Sequence, residues 1–269
     1  MRTPAAVFAF LLLSLLATRA HADWVHMPGP RGMQVNVLYR VGATVYAGTQ
    51  TRGVYQSNDN GASWQPANGG IERAAVSDIV FVNGALLAGV QNACGITGVY
   101  RSTDGGNQWS PTSGLAQTVR GLAIKAPYVY AIAVDFNSAI YRSTDDGQSW
   151  VQVPSPINEP NAVFASGDAL IVSESNFIWR TIDDWVTWEV AEQFALSGVY
   201  SFTKSGNRII GAGLSRIYIS TDNGASWQDR DMPTGAYSLT SSGFTVFLGG
   251  ENNVMKSTNA GFTWTDASV

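Results

Sequence analysis

Residues 102–109 read Ser-Thr-Asp-Gly-Gly-Asn-Gln-Trp. Ser or Thr stands first in this stretch, Asp third, Gly fifth and Trp last, and the same pattern recurs along the chain. Two copies are altered, because Trp185 replaces the Gly of the fourth copy and Asn259 replaces the Asp of the sixth. The six copies are residues 57–64, 102–109, 143–150, 181–188, 220–227 and 257–264.

The spacing of the copies is nearly regular. Their terminal tryptophans are 45, 41, 38, 39 and 37 residues apart. A fixed period in this range is typical of an array that stacks or closes copies of one supersecondary unit. The sequence therefore predicts a repeat protein.

Each residue type in the pattern suits a tight turn. An Asp carboxylate accepts hydrogen bonds from backbone N–H groups that follow it, and Ser or Thr hydroxyls join the two ends of the turn. Gly adopts a positive φ without a steric cost. The Trp supplies a large apolar surface and one N–H donor at the start of the next strand. We therefore expect each copy to be a hairpin turn with a hydrophobic plug.

The pattern resembles the Asp-box, also called the BNR repeat, of sialidase-like β-propellers. In that family the box joins the two outer strands of a blade and lies away from the substrate site, so the resemblance implies a fold and a structural role for the boxes. The residues that carry it are Asp59, Gly61, Trp64, Asp104, Gly106, Trp109, Asp145, Gly147, Trp150, Asp183, Trp188, Asp222, Gly224, Trp227, Asn259, Gly261 and Trp264.

The rest of each repeat also aligns. Short apolar runs such as residues 44–48 and 85–89 form one column, the residues that lead into each box form a second, and columns upstream and downstream complete four strands per repeat. Helical periodicity is absent. The fold predicted is an all-β, six-bladed β-propeller of four-stranded antiparallel blades. An open solenoid is the alternative, but it usually needs distinct caps.

The two ends of the chain carry separate signals. Arg2, the apolar run 5–17 and the Ala-His-Ala of residues 20–22 predict a signal peptide over residues 1–22, cleaved after Ala22. Residues 23–269 are then a single propeller domain, secreted or periplasmic. Residues 23–28 and residues 264–266 both resemble a fourth strand, and either could complete the last blade. The lone cysteine, Cys94, is an inert loop residue, a reactive thiol or one half of a disulfide between chains.

Composition narrows the classes of partner. The formal net charge is −4, which does not suggest nucleic acid or an anionic lipid surface. The apolar run near the start is too short for a membrane span. The boxes lack the alternating ligands and the twelfth-position Glu of an EF-hand loop, so we expect no metal, and no motif indicates a cofactor.

Ligands of related propellers usually meet the face opposite the boxes, which is built by loops between strands two and three and by connections between blades. The assignment of ligand binding to this face is what the resemblance implies. Both signs of charge occur on that face, together with aromatic residues, which suits a polar small molecule, a glycan or a protein surface. The candidates for ligand contact are Arg31, Arg52, Arg73, Arg120, Asp135, Glu174, Arg216, Tyr237 and Glu251.

The leading hypothesis for function is an exported propeller that binds a protein or glycan partner without catalysis. The photosystem II assembly factors of the Ycf48 and HCF136 type are similar in being exported Asp-box propellers, although they are longer. The alternative is a reduced sialidase-type glycoside hydrolase, for which Tyr237 and Glu251 are the best nucleophile pair. The Arg-Ile-Pro motif of sialidases is missing, so no catalytic residue is assigned.

Trp185 has two interpretations. It could pack locally in a turn that has lost its Gly, or it could be an exposed aromatic anchor for a partner, since Trp is enriched at binding hot spots.

Overall fold

The computed structural model describes residues 33–93, 95–135, 137–193, 198–232, 235–250 and 253–267. These residues form 24 β-strands and no helix. The predicted signal peptide and residues 23–28 lie outside them, as does Cys94.

The strands group into six sheets, which we number as blades in chain order. Blades 1 to 3 contain β1 (Val35–Val41), β2 (Thr44–Thr49), β3 (Val54–Ser57), β4 (Gln65–Pro66); β5 (Ala75–Val82), β6 (Ala85–Ala93), β7 (Ile96–Ser102), β8 (Ser110–Pro111); and β9 (Val119–Lys125), β10 (Tyr128–Ala133), β11 (Ala139–Ser143), β12 (Val151–Val153). Blades 4 to 6 contain β13 (Pro160–Ser166), β14 (Ala169–Glu174), β15 (Phe177–Thr181), β16 (Glu189–Gln193); β17 (Val199–Ser205), β18 (Arg208–Gly213), β19 (Arg216–Ser220), β20 (Gln228–Asp231); and β21 (Ser238–Ser242), β22 (Thr245–Gly249), β23 (Val254–Ser257), β24 (Thr265–Asp266).

Every sheet is an antiparallel meander in which each strand pairs with the next one in the sequence. The first strand of each blade contacts the first strand of the blade that follows it along the chain. The fold is therefore a six-bladed β-propeller with the first strands innermost, as the repeat predicted. The C-terminal segment supplies a fourth strand of the last blade, since β24 pairs with β23.

The predicted turns close the outer hairpin of each blade, and blade 2 shows how. Ser102 Oγ donates to Asp104 Oδ1 at 2.8 Å and accepts from Gly106 N at 2.9 Å. Asp104 Oδ1 also accepts from Gln108 N at 3.0 Å. Trp109 Nε1 donates to the carbonyl of Gly106 at 2.9 Å. These bonds satisfy the buried polar groups of the turn and hold the Trp ring against the sheet.

The two altered copies keep the same pattern. Asn259 Oδ1 accepts from Ser257 Oγ and from Thr263 N, both at 2.9 Å, because an amide oxygen replaces one carboxylate oxygen. In blade 4, Trp185 N donates to Thr181 Oγ1 at 3.0 Å, as the turn Gly does elsewhere. The turn is thus set by its first and third residues, and it tolerates changes at the fifth.

The hydrophobic core lies in the joints between blades. Five clusters of buried side chains fill the joints between consecutive blades from blade 1 to blade 6. Trp109 illustrates the link to the turns, because its Nε1 also reaches the carbonyl of Ala67 in blade 1 at 2.9 Å. Burial of each such aromatic ring stabilises the fold by roughly 1.5–3 kcal/mol.

The joint between blades 6 and 1 is packed less tightly. Leu38 of β1 is 62% exposed, although the equivalent Ile79 of blade 2 is 0% exposed. On the other side of this joint, Phe247 is only half-buried, whereas the equivalent Tyr46, Leu87 and Tyr130 are buried. Among the described residues, the other five joints are therefore packed more tightly than the joint between blades 6 and 1.

Candidate binding face

The meander places the connections on two opposite faces. The six turns and the loops between first and second strands lie on one face, which we call the turn face. Loops between second and third strands, and the connections from one blade to the next, lie on the other, which we call the loop face. All seven described candidates for ligand contact belong to the loop face; Arg31 and Glu251 lie outside the described residues.

The innermost strands bulge as they leave the loop face. Register shifts occur in β1, β5, β9, β13 and β17, at the residues Asn36, Ser77, Arg120, Asn161 and Tyr200. A bulge leaves its extra residue unpaired and redirects that side chain. Ser77 Oγ, for example, donates to the carbonyl of Val119 in the next blade at 2.6 Å. In blades 1, 2 and 3 the bulges thus place a side chain against the next blade, since Asn36 and Arg120 also bond across their joints.

Arg52 and Arg73 are exposed on the loop face of blade 1 and of its connection to blade 2. Neither guanidinium forms an ion pair or a hydrogen bond within the described part of the chain. Glu72, the neighbour of Arg73, accepts from Gly70 N at 3.1 Å. Hydrogen bonds from its own backbone and from Gly70, and to a lesser extent the charge of Arg73, lower the pKa of Glu72, so it is a carboxylate at neutral pH.

Two candidates of blade 3 are already engaged within the protein. Arg120 Nη1 donates to Asn161 Oδ1 at 2.9 Å and to the carbonyl of Pro160 at 3.2 Å, which ties blade 3 to blade 4. Asp135 Oδ2 accepts from Thr118 N at 2.9 Å. Both side chains are exposed, but their polar atoms hold loops in place.

Glu174 and Arg216 are engaged more completely. Glu174 Oε1 accepts from Asn158 N at 2.9 Å, and its Oε2 accepts from Trp179 Nε1 at 2.9 Å. Arg216 forms ion pairs with Asp229 and, at 3.5 Å, with Asp231 across the edge of blade 5. These two residues stabilise their own blades, which leaves them less suited to ligand contact than Arg52 and Arg73.

Tyr237 is 61% exposed in the connection that enters blade 6. A second tyrosine lies near it that the sequence reasoning missed: Tyr200, 43% exposed, at the bulge of the preceding inner strand. The two strands are neighbours, since Leu239 N donates to Ser201 Oγ at 3.0 Å. The sequence did contain a signal for Tyr200, because the alignment of the repeats puts it at the position equivalent to the candidate Arg120.

The carboxylates of the turn face have a different environment. Hydrogen bonds from the Ser63 hydroxyl and then the Ser63 backbone lower the pKa of Asp59 to about 2. The Thr187 hydroxyl and backbone do the same for Asp183. These groups are ionised acceptors at neutral pH with their oxygens occupied, as a structural role requires. Among the described residues, no group of three His, Cys, Asp or Glu side chains could hold a metal ion.

Trp185 packs against blade 3. Its ring centroid lies 5.9 Å from that of Tyr130 and 6.1 Å from that of Tyr128, and Arg142 Cζ lies 3.9 Å from the ring. The preceding Asp184 forms an ion pair with Lys125. The indole is half-buried and fills the joint between blades 3 and 4. This geometry supports local packing.

Asp78 is a carboxyl group on an inner strand. Its Oδ2 accepts from Leu122 N of the next blade, and its Oδ1 accepts from Ile79 N, both at 2.8 Å. Burial raises the pKa of Asp78 to about 6 in spite of these two hydrogen bonds. Asp78 therefore titrates closer to neutral pH than an exposed carboxyl does.

Comparison with solved structures identifies other propellers. The extracellular domain of the BT4673 one component system from B. thetaiotaomicron matches with a TM-score of 0.74 and 13% identity over 91% of this chain. YCF48 bound to a D1 peptide matches with a TM-score of 0.68 and 16% identity, over 90% of this chain and 83% of that one. An ancestral GH74 enzyme matches with a TM-score of 0.63 and 15% identity, over 83% of this chain and 36% of that one.

The chain spans about a third of the length of the BT4673 domain, 35%. No family model and no curated protein sequence matches this chain. At these identities the similarity establishes the propeller fold alone. None of the described residues forms a helix with the length and apolar character that a membrane crossing requires.

Proposed function

We propose that the protein is an exported Asp-box propeller that binds a protein or glycan partner through its loop face and catalyses no reaction. The observation that carries the proposal is the exposure of Arg52, Arg73 and Tyr237 on that face. Neither guanidinium group forms an ion pair or a hydrogen bond within the described residues, although the charge of Arg73 interacts with Glu72, and Tyr237 is 61% exposed. Arg and Tyr are enriched at interfaces, where they contribute much of the binding energy.

The other polar groups support this division of roles. Glu174, Asp135, Arg120 and Arg216 hold loops and blades together, so their removal would change the scaffold as well as any contact. These exposed side chains lie in blade 1, in its connection to blade 2 and in the connection that enters blade 6; blades 1 and 6 are neighbours in a six-bladed ring. A partner placed across these two blades could contact Tyr237 and Arg52 together.

Export and the turn family belong to the same proposal. The apolar run and the Ala-His-Ala site predict that residues 1–22 are removed, leaving residues 23–269 as the mature domain. The repeated hydrogen bonds of the six turns support their assignment as Asp-boxes. Among similar structures, one is an extracellular domain, and another is described in complex with a peptide.

The experiment is an affinity capture from an envelope extract of the source organism. The bait is the mature domain, and the test variant carries Arg52→Glu and Arg73→Glu. Arg40→Glu is the control, since Arg40 is an exposed arginine at the turn-face end of β1. We expect a partner that the mature domain and the Arg40 variant retain and the double variant loses.

A partner retained equally by all three baits would contradict the placement of the site. Absence of any saturable partner, in the extract or on a glycan array, would contradict the proposed function. Hydrolysis of fluorogenic glycosides by the mature domain, lost after Tyr237→Phe, would replace it with glycoside hydrolysis.

A further inference from the structure

The turn face contains one joint that departs from the repeat. Between blades 5 and 6, Phe262 follows the turn Gly, and Cζ of Arg208 and Cζ of Arg230 each lie 4.6 Å from the centroid of its ring. The two guanidinium carbons are therefore no more than about 9 Å apart. Two cations around one ring are unusual, because the ring attracts each of them while they repel each other.

All three residues are exceptions at their positions in the repeat. At the position of Phe262 the other blades have Ala62, Asn107, Gln148, Val186 and Ala225. At the position of Arg208 they have Thr44, Ala85, Tyr128, Ala169 and Thr245. At the position of Arg230 they have Ala67, Thr112, Val153, Ala191 and Ala267. The departures occur together in a single joint.

The strand register brings both arginines to the same side of blade 5. Arg208 is two residues before Ile210 in β18, and Arg230 pairs with Ile217 of β19. Ile210 and Ile217 are buried in the core cluster that joins blade 5 to blade 6. Because side chains two apart, or directly opposite, share a face of a sheet, both arginines face blade 6.

Neither arginine is neutralised within the described residues. The ion pairs found there use Lys125, Arg180 and Arg216 instead. Arg208 Nε is also buried and donates to no acceptor. A buried donor on a charged group is costly when unpaired, so a water molecule or an anion is expected to supply the acceptor.

We propose that Arg208 and Arg230 bind a tetrahedral oxyanion, a sulfate or phosphate group, at the joint between blades 5 and 6. One guanidinium already satisfies both oxygens of a carboxylate in a bidentate pair. Two guanidinium groups from different strands suit an acceptor with several oxygen edges, which a tetrahedral anion has. Phe262 supplies the apolar surface that orients both groups. This site lies apart from the loop face and does not depend on the proposed function.

The test is a titration followed by ¹⁵N–¹H NMR of the arginine side chains in the mature domain. Sodium sulfate and sodium phosphate are the probes, and sodium chloride and sodium acetate at equal ionic strength are the references. We expect the Arg208 Nε–H signal to shift and saturate with sulfate or phosphate but not with chloride. Arg230→Gln should weaken binding by roughly tenfold or more, because it removes a charged donor. Arg73→Gln, an exposed arginine elsewhere, should leave it unchanged.

Melting temperatures separate binding from the general effect of sulfate, which stabilises folded proteins by exclusion from their surface. In chloride, Arg230→Gln should melt at or above the wild type, because one of two like charges is gone. In sulfate the order should reverse. Titrations with a monosaccharide sulfate and with the phosphate of the same sugar then show which of the two groups the site prefers. Preferential binding of either one supports the site.

Three results would overturn the proposal. Arg208 Nε–H could show no saturable shift with either anion, Arg230→Gln could bind as tightly as the wild type, or acetate could bind as well as sulfate. The first two would leave Arg208 and Arg230 as packing for Phe262, and the third would remove the preference for a tetrahedral group. Arg230 is exposed, so its variant tests the site even if Arg208→Gln fails to fold.

Discussion

The turn face and the loop face use similar residues in different ways. Asp145 of the turn face accepts from the hydroxyl and the backbone N–H of Ser149, at 2.6 and 2.9 Å, and equivalent bonds recur in the other blades. Arg52 and Arg73 of the loop face are exposed, and their guanidinium groups form no ion pair or hydrogen bond in the described residues. The repeated positions hold the fold together, and we expect recognition at positions that the repeat does not constrain.

One joint of the turn face is an exception to this division. Arg208 and Arg230 break the repeat and form no ion pair with a carboxylate among the described residues. In the joint between blades 3 and 4, by contrast, Lys125 pairs with Asp184, and Arg142 stacks on the adjacent Trp185. In both joints, an aromatic residue that departs from the repeat stacks against arginine side chains. Arg208 Nε at the joint of Phe262 and Trp150 Nε1 at the joint between blades 2 and 3 are buried donors without a described partner, but only Arg208 carries a charge.

The largest effect is expected from Asp145→Ala on the turn face. The change removes an acceptor for Ser143 Oγ and for the backbone N–H and hydroxyl of Ser149. We expect a loss of about 3 kcal/mol in the free energy of unfolding, since several donors lose their partner. Denaturant unfolding measures the loss, and partner capture should be unchanged at a temperature where the variant is folded.

Thr144→Ala is the control for that variant. Thr144 occupies the same turn but is exposed and donates no described hydrogen bond. Its replacement should change stability by no more than about 0.5 kcal/mol. Equal stability of the two variants would show that the carboxylate does not hold the turn.

Trp185→Gly restores the sequence of the repeat in blade 4 and should nevertheless destabilise the protein. The change relieves the positive φ of 71° but removes the packing against Tyr130 and the stacking of Arg142. We expect a net loss of about 2 kcal/mol, less than for a fully buried Trp. Val186→Ala, at an exposed neighbour, is the control. Unchanged stability together with loss of the captured partner would instead make Trp185 a binding anchor.

A smaller effect concerns pH. The folded pKa of Asp183, about 2, lies below its unfolded value, so its contribution to stability is present above pH 3.8 and is lost as pH falls towards 2. The folded pKa of Asp78, about 6, lies above its unfolded value, so its contribution is present below pH 3.8 and is lost as pH rises through 6. Asp78→Asn should therefore flatten the decline in stability between pH 4 and 6, and Asp183→Asn should flatten the decline below pH 4.

Denaturant unfolding at several pH values measures both slopes. An unaltered slope between pH 4 and 6 in the Asp78 variant would place the titration in another group.

The repeat predicted the fold because its signals are local. The turns and the apolar columns can each be recognised within one repeat of about 40 residues. Together with the period they predicted six four-stranded blades. The sequence did not predict the partners of side chains, which depend on register between strands and blades. Arg216 pairs with Asp229 across two strands, and Arg120 reaches blade 4. The exposure of Leu38 depends on the packing between blades 6 and 1, which the period of the repeat does not predict.

Hydrogen–deuterium exchange of the mature domain with and without its captured partner tests the central claim most directly. We expect slower exchange in the loop-face segments 50–53, 68–74 and 235–237, and unchanged exchange in the turns 143–150 and 220–227. Slower exchange confined to the turns would contradict the account, because it would place recognition on the face that the repeat reserves for the fold.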